Sequence, residues 1–290
     1  MWFFEALFFS LWTAVSVFLI KKWSSKIPSS ALILFTFLFT LPWMVILILI
    51  TGGFPKTGMM FYLFMLGSAI FDVIAFYSYF RAIKLSEISL IGPISSFGPV
   101  FTTLFAFIAL NEAPSGFRLI GILLIVVGSY ILNLVSNKKD NLFASFINPF
   151  RNKGVLLALF AAFLWSITPI FQKQAIFLTN TTTPLFASFV GMIFVTIYFL
   201  STNFSAFKKY KQDIKSNLPA LIIYGLGSAI AQLAAYSAFA SSYLGYVTAI
   251  MRSSGIFTVI IGGIFLKEKT IGKKIIGSLI MLAGVLLLAI

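Results

Sequence analysis

Ten nearly uncharged stretches of about 20 residues follow one another along this chain, at residues 2–20, 29–50, 58–80, 87–110, 116–135, 154–177, 183–202, 218–240, 243–266 and 271–290. A helix of about 20 apolar residues crosses the hydrocarbon core of a bilayer. Backbone in lipid must satisfy its hydrogen bonds internally, which leaves only helices and closed barrels. These stretches are continuously apolar, not alternating, so they read as helices. Breakers stand at most boundaries: Pro28, Gly52 and Gly53 with Pro55, Pro114, Pro184 and Pro219. The expected fold class is an all-α integral membrane protein with ten transmembrane helices. Charge content agrees: only 10% of the 290 residues are charged, where a soluble domain carries about 25%. Residues 2–20 do not read as a cleavable signal peptide, because Lys21, Lys22 and Lys26 follow the apolar run.

The chain repeats itself. "FTTLFAFIALNEAPSGFRLIGILLIVVGSYIL" (101–132) aligns without a gap on "FTVIIGGIFLKEKTIGKKIIGSLIMLAGVLLL" (257–288). Gly116, Gly121 and Gly128 fall on Gly272, Gly277 and Gly284, and Glu112 falls on Glu268. "GSAI" occurs at 67–70 and 227–230, and "LW" at 11–12 and 164–165. Residues 1–135 are therefore one copy (helices 1–5), 136–153 a linker, and 154–290 a second copy (helices 6–10). Five crossings is an odd number, so the second copy runs through the membrane in the opposite sense.

Charge supports the inversion. The net charge is +14. Basic residues gather in loops 1–2 (Lys21, Lys22, Lys26), 3–4 (Arg81, Lys84), 5–6 (Lys138, Lys139, Arg151, Lys153), 7–8 (Lys208, Lys209, Lys211, Lys215) and 9–10 (Lys267, Lys269, Lys273, Lys274). Loops of the other side hold Lys56 and Arg118. By the positive-inside rule the odd-numbered loops are cytoplasmic and both termini lie outside, in a prokaryotic inner (plasma) membrane. Linkers "SNKKDNLFASFINPFRNK" and "NFSAFKKYKQDIKSN" mix lysine with phenylalanine and read as interfacial segments.

Several functions drop out. Basic residues sit in topology-setting loops, not beside exposed aromatic platforms, so no nucleic-acid partner is expected. With no Cys and no His, thiolate or imidazole metal sites, disulfides and histidine proton relays are absent. No cofactor or metal is expected, and an intramembrane enzyme is the weakest alternative. Inverted repeats suit a secondary transporter, in which two pseudo-symmetric halves exchange conformations around a midplane site.

Two segments carry a family resemblance. "RAIKLSEISLIGPISSFGPVFTTLFAFIALNEAPSGFRLIGILLIVVG" (81–128) and "RSSGIFTVIIGGIFLKEKTIGKKIIGSLIMLAGV" (252–285) resemble the EamA-type repeat of the drug/metabolite transporter superfamily. Gly121 with Gly128, and Gly277 with Gly284, also resemble the fourth helix of the small multidrug-resistance proteins. The resemblance implies a ten-helix secondary transporter of small metabolites, often an exporter, without an ATPase. Well-studied ten-helix members are placed with both termini in the cytoplasm, the reverse of what the loop charges indicate here.

Candidate site residues are the polar groups at membrane depth. Asp72 is the one acid near mid-helix, within "SAIFDVIAF", and Arg252 the one central base. Intramembrane charge is costly and needs a partner or a cavity. Helical spacing puts Asp72 with Met65, Ser68, Phe76 and Tyr79. The repeat sets Gln232 opposite, with Ser228 and Tyr236 on its stripe. Arg252 aligns with Gly245, Thr248 and Gly255, and its repeat counterpart is Ser96. Trp12, with Ser16, is equivalent to Trp165, with Pro169 and Gln172. A cavity lined by Asp72, Arg252, Gln232, Tyr79, Tyr236, Trp12, Trp165, Ser96 and Thr248 suits a small polar or amphipathic molecule such as an amino acid. The alternatives are an Asp72–Arg252 pair of purely structural role, and a flippase for a lipid-linked carrier. Gly121, Gly128, Gly277 and Gly284 are expected to pack helices 5 and 10. Pro93, Pro99 and Pro169 are expected to kink helices 4 and 6 beside the cavity. Glu112 and Glu268 are expected as solvated or capping charges, and Lys173 as a side chain snorkelling from a helix end. Expected partners are the bilayer, a small-molecule substrate and protons, for a monomer or homodimer.

Overall fold

A computed structural model of the protein describes residues 1–86, 98–134, 152–179, 183–257 and 271–289. Ser96, Glu87, Pro93, Glu268 and most of the 5–6 linker lie outside these. Among the described residues every regular element is a helix: α1 (Trp2–Ser24), α2 (Ser29–Thr51), α3 (Met59–Leu85), α4 (Gly98–Leu110), α5 (Gly116–Leu134), α6 (Lys153–Phe177), α7 (Leu185–Asn203), α8 (Leu218–Ser241), α9 (Leu244–Arg252) and α10 (Ile271–Ala289). Two short helices, Ala206–Lys209 and Lys211–Ser216, fill the basic 7–8 connection. Helices α1, α2, α3, α6, α7 and α8 are each long and apolar enough to cross a membrane. Large apolar side chains such as Ile50, Ile108 and Ile197 project outward, as a lipid-facing surface requires.

The most extensive packing joins one copy to the other. Helix α3 packs on α6 as α8 does on α1, and α2 on α8 as α7 does on α3. Helix α4 packs on α6 as α9 does on α1, and α2·α7, α4·α9 and α5·α10 pair equivalent helices. Exchanging the copies maps this contact pattern onto itself, the signature of a pseudo-two-fold axis.

Consecutive helices alternate in direction. On one face, Lys21 Nζ donates to the carbonyls of Ile83 (2.6 Å) and Ser86 (2.8 Å), joining the ends of α1 and α3. Ser86 Oγ donates to Asn152 Oδ1 (2.6 Å), and the same oxygen caps α6 by accepting from Gly154 N (2.8 Å). Ser30 Oγ donates to Asn203 Oδ1 (2.7 Å), joining the start of α2 to the end of α7. On the opposite face the Phe54 and Phe186 rings meet at 5.9 Å, and Ser115 N donates to Tyr246 Oη (3.1 Å). The first face is the one that carries the basic loops.

Glycines set the α5–α10 contact. A β-carbon at Gly284 would lie 2.7 Å from the Gly121 carbonyl oxygen, and one at Gly128 would lie 2.5 Å from Met281 N and 2.8 Å from the Gly277 oxygen. Bare backbone on both sides permits that approach, which in lipid must substitute for a hydrophobic driving force.

Two expectations about elements change. The ninth apolar run is not one helix over 243–266: α9 stops at Arg252, Ser253 makes a turn, and residues 254–257 are helical again. Ser253 Oγ bonds back to the Ile250 carbonyl (2.7 Å) and to Ser10 Oγ (3.0 Å), offering the backbone an alternative to helix propagation. Helix α1 extends past residue 20 and absorbs Lys21 and Lys22. Pro169 lies inside α6 and Pro99 at the start of α4.

Candidate functional site

A chamber of about 260 Å³ lies between the two copies. Asp72, Phe76 and Tyr79 of α3 face it, with Trp165, Thr168, Pro169 and Gln172 of α6. Ser228, Gln232 and Tyr236 come from α8, Thr248 and Arg252 from α9, and Trp12, Thr13 and Ser16 from α1. Helices α2 and α7, not expected at the site, add Phe37 and Thr40, and Ser188, Gly191 and Met192. The structure thus gathers Asp72, Arg252, Gln232, Tyr79, Tyr236, Trp12, Trp165 and Thr248 around one space. No described residue of α4 lines it. Gly245 packs away from it, against the Thr103 side chain.

The acid is held by neutral groups. Ser68 Oγ, one turn before Asp72, donates to Oδ2 at 3.0 Å. Gln172 Nε2, from the other copy, reaches Ser68 Oγ at 3.0 Å and Asp72 Oδ2 at 3.4 Å. Asp72 is buried, as are Ser68 and Gln172, so this carboxylate is ordered across the interface between copies. Asp72 and Arg252 do not pair; the ion pair among the described residues is Lys173–Glu112. The alternative of an Asp72–Arg252 bridge is not what these residues form. Arg252 sits where α9 ends, and its guanidinium lies against Gly98, where the missing side chain leaves room.

The walls are aromatic. Trp165 stands edge-on to Tyr79 (centroids 5.0 Å apart) and to Phe76 (5.2 Å). Trp12 donates its indole N–H to Ser228 Oγ (3.0 Å), and its ring occupies the space left by Gly227. Ser188 Oγ donates to Gln232 Oε1 (3.2 Å), holding that amide toward the chamber. The result is an acid on one wall, a base on another, amides between them and aromatic faces around them. That is a set of orienting groups for a small molecule carrying both charge and apolar surface.

A second polar cluster lies at the end of the helices away from the basic loops. Lys173, on α6 beside Gln172, puts Nζ 2.5 Å from Glu112 Oε1 and donates to the Ser242 carbonyl at 2.6 Å. Glu112 Oε2 accepts from Leu244 N (2.7 Å), the first residue of α9. Both side chains are buried, at 6% and 8% exposure. Lys173 therefore does not snorkel outward, and Glu112 is not solvated: it caps a helix of the opposite copy. Asn111 adopts a left-handed conformation (φ 55°) immediately before Glu112, a backbone state that asparagine tolerates better than most residues. That turn brings the acid back inward. The readable signal was a lysine next to Gln172 in an otherwise apolar run, and an Asn-Glu step closing a helix.

Comparison with known proteins agrees with this architecture. An uncharacterized transporter from Archaeoglobus fulgidus is 26% identical over 211 residues, covering 73% of this chain and 69% of its own. A protein of known crystal structure matches with a TM-score of 0.71 at 14% identity over 98% of both chains, a likeness of fold. The EamA-like transporter family model matches residues 1–134 and again residues 152–290. Two family repeats spanning nearly the whole sequence place this chain in the EamA-like transporter family.

Proposed function

We propose that this membrane transporter moves a small polar or amphipathic metabolite, such as an amino acid, outward by alternating access of its two copies. The observation that carries the reading is a chamber between the copies holding Asp72 and Arg252 apart, both at membrane depth. Unpaired charges there are costly and are characteristic of substrate or ion pathways. A zwitterion satisfies both charges at once. Its apolar part would lie against Trp165, Phe76 and Tyr79. A small chamber whose walls carry both an acid and a base favours such a metabolite over a lipid-linked carrier. Asp72 is the group proposed to exchange a proton during the cycle. Desolvation and the approach of the guanidinium influence such a carboxylate in opposite ways, so rocking of the halves would couple proton to substrate movement. The basic-loop face is proposed to be cytoplasmic.

The test is uptake and exchange of a metabolite panel in proteoliposomes, with and without a pH gradient. Asp72→Asn removes a buried charge, so it should insert and fold normally yet lose uphill transport. Retained downhill exchange would mean Asp72 carries the proton. Loss of exchange would mean it binds substrate directly. Uphill transport at the wild-type rate would overturn both roles.

A further inference from the structure

The Glu112–Lys173 cluster lies beyond the chamber just described, and its partners join elements that must separate if the chamber is to open on that side. Lys173 follows Gln172, the residue that reaches Asp72. Glu112 follows α4, in the first copy, yet holds the first N–H of α9, the helix that carries Thr248 and Arg252 into the chamber. Lys173 Nζ also holds the carbonyl of Ser242, between α8 and α9. One ion pair therefore ties α6, whose Gln172 reaches the acid, to α9, which carries the base, through a loop of the other repeat.

The chamber reaches toward both faces. Its lining runs to Ile20 on α1 and Phe80 on α3, toward the basic loops, and to Gln172 on α6, Ser188 on α7 and Phe239 on α8, toward the opposite face. At the basic face Lys21 makes a similar reach, to the carbonyl of Ser86, which like Ser242 caps the end of a helix.

We propose that Glu112 and Lys173 form the bolt that keeps the chamber closed at the face opposite the basic loops, and that the pair must part for the chamber to open there. The pair is also a positioning device, since it fixes the start of α9 and hence where Arg252 stands relative to Gln172 and Asp72. The inference rests on the alternating-access reading, but its test needs no substrate, so the two can fail separately. A buried pair suits a bolt. Its attraction is strong while water is excluded, and each charge regains hydration once the surfaces part.

The chain has no cysteine, so one thiol introduced at Ser188, on the chamber wall, reports accessibility without background. A membrane-impermeant maleimide is applied to one face at a time, in vesicles of each orientation. With the bolt intact, Ser188→Cys should label slowly from the face opposite the basic loops. Glu112→Gln and Lys173→Met should each raise that rate about tenfold, as expected when a minor open state becomes a major one. Lys173→Arg, which keeps the pair, should leave the rate near its starting value. Each single neutral variant leaves a buried charge alone, which destabilises the fold. The double variant Glu112→Gln/Lys173→Met leaves none, and it too should label fast from that face only. Unchanged labelling of the folded double variant overturns the proposal. So does labelling that rises equally from both faces, which means general loosening. Failure of the double variant to fold also overturns it, because the pair is then part of the folding core.

Discussion

Asp72 owes its place to a neighbour one turn away and to an amide from the other copy. Ser68 and Gln172 both donate to the same carboxylate oxygen, and Trp165 and Thr168 of the other copy also approach the carboxylate. Arg252 contributes a planar fork with five donors, a geometry that an ammonium does not reproduce. Arg252→Lys keeps the charge but loses the fork, so the substrate KM in proteoliposomes should rise about tenfold, the equivalent of one charged hydrogen bond. Gly227 is as exacting in another sense. A β-carbon there collides with the Trp12 ring, and Trp12 is fixed by its bond to Ser228. Gly227→Ala should cost about 1–3 kcal/mol through overpacking, seen as a lower Tm in detergent. An unchanged Tm would mean that the ring swings freely.

Among the elements, the α5–α10 pair is built differently from the chamber helices. Its closeness depends on glycine backbone facing backbone, with Gly121, Gly128, Gly277 and Gly284 all on the contact. Those faces are consumed within one chain. Gly284→Val should therefore lower thermal stability by about 1–3 kcal/mol while the oligomeric state, measured by light scattering, stays the same. A change of oligomer would show instead that the glycine face serves a second chain. Helix α9 is the contrasting case. It is only nine residues long, too short to be stable alone, and it depends on caps supplied by other elements. Glu112 holds its first N–H, and Ser253, tied to Ser10, ends it. A short helix held by detachable side chains moves more readily than one anchored by a continuous apolar face.

At the scale of the whole molecule, the pseudo-two-fold packing makes two states of similar energy possible, because exchanging the copies reproduces the main inter-copy helix pairs. Orientation follows from charge. Loops 1–2, 3–4, 5–6 and 7–8 meet on one face, and that face carries most of the lysines. If it is cytoplasmic, a reporter active only in the cytoplasm should be silent when fused after Ile290 and active when inserted in the 7–8 connection. The opposite pattern would show that the charge bias does not set the topology here.

The sequence by itself determined the membrane-spanning helices, the internal repeat and its inversion, because lipid imposes a length and a hydropathy that a linear reading detects directly. It also brought forward Asp72, Arg252, Gln232 and the two tryptophans, since a polar residue in an apolar run is conspicuous and helical periodicity says which neighbours share its face. Tertiary structure decided what those groups touch. Ser68 was legible as a residue one turn from Asp72, but Gln172 reaches the acid only because α6 of one copy packs on α3 of the other. Glu112 and Lys173 looked like end-of-helix charges, because distance along the chain hides that a left-handed turn at Asn111 folds the acid onto the opposite repeat. The stop at Ser253 depends on hydroxyl contacts with α1 that no hydropathy window registers. Periodicity is a property of one helix, whereas pairing between helices is set by which faces the fold brings within 3 Å of each other, roughly the reach of a hydrogen bond.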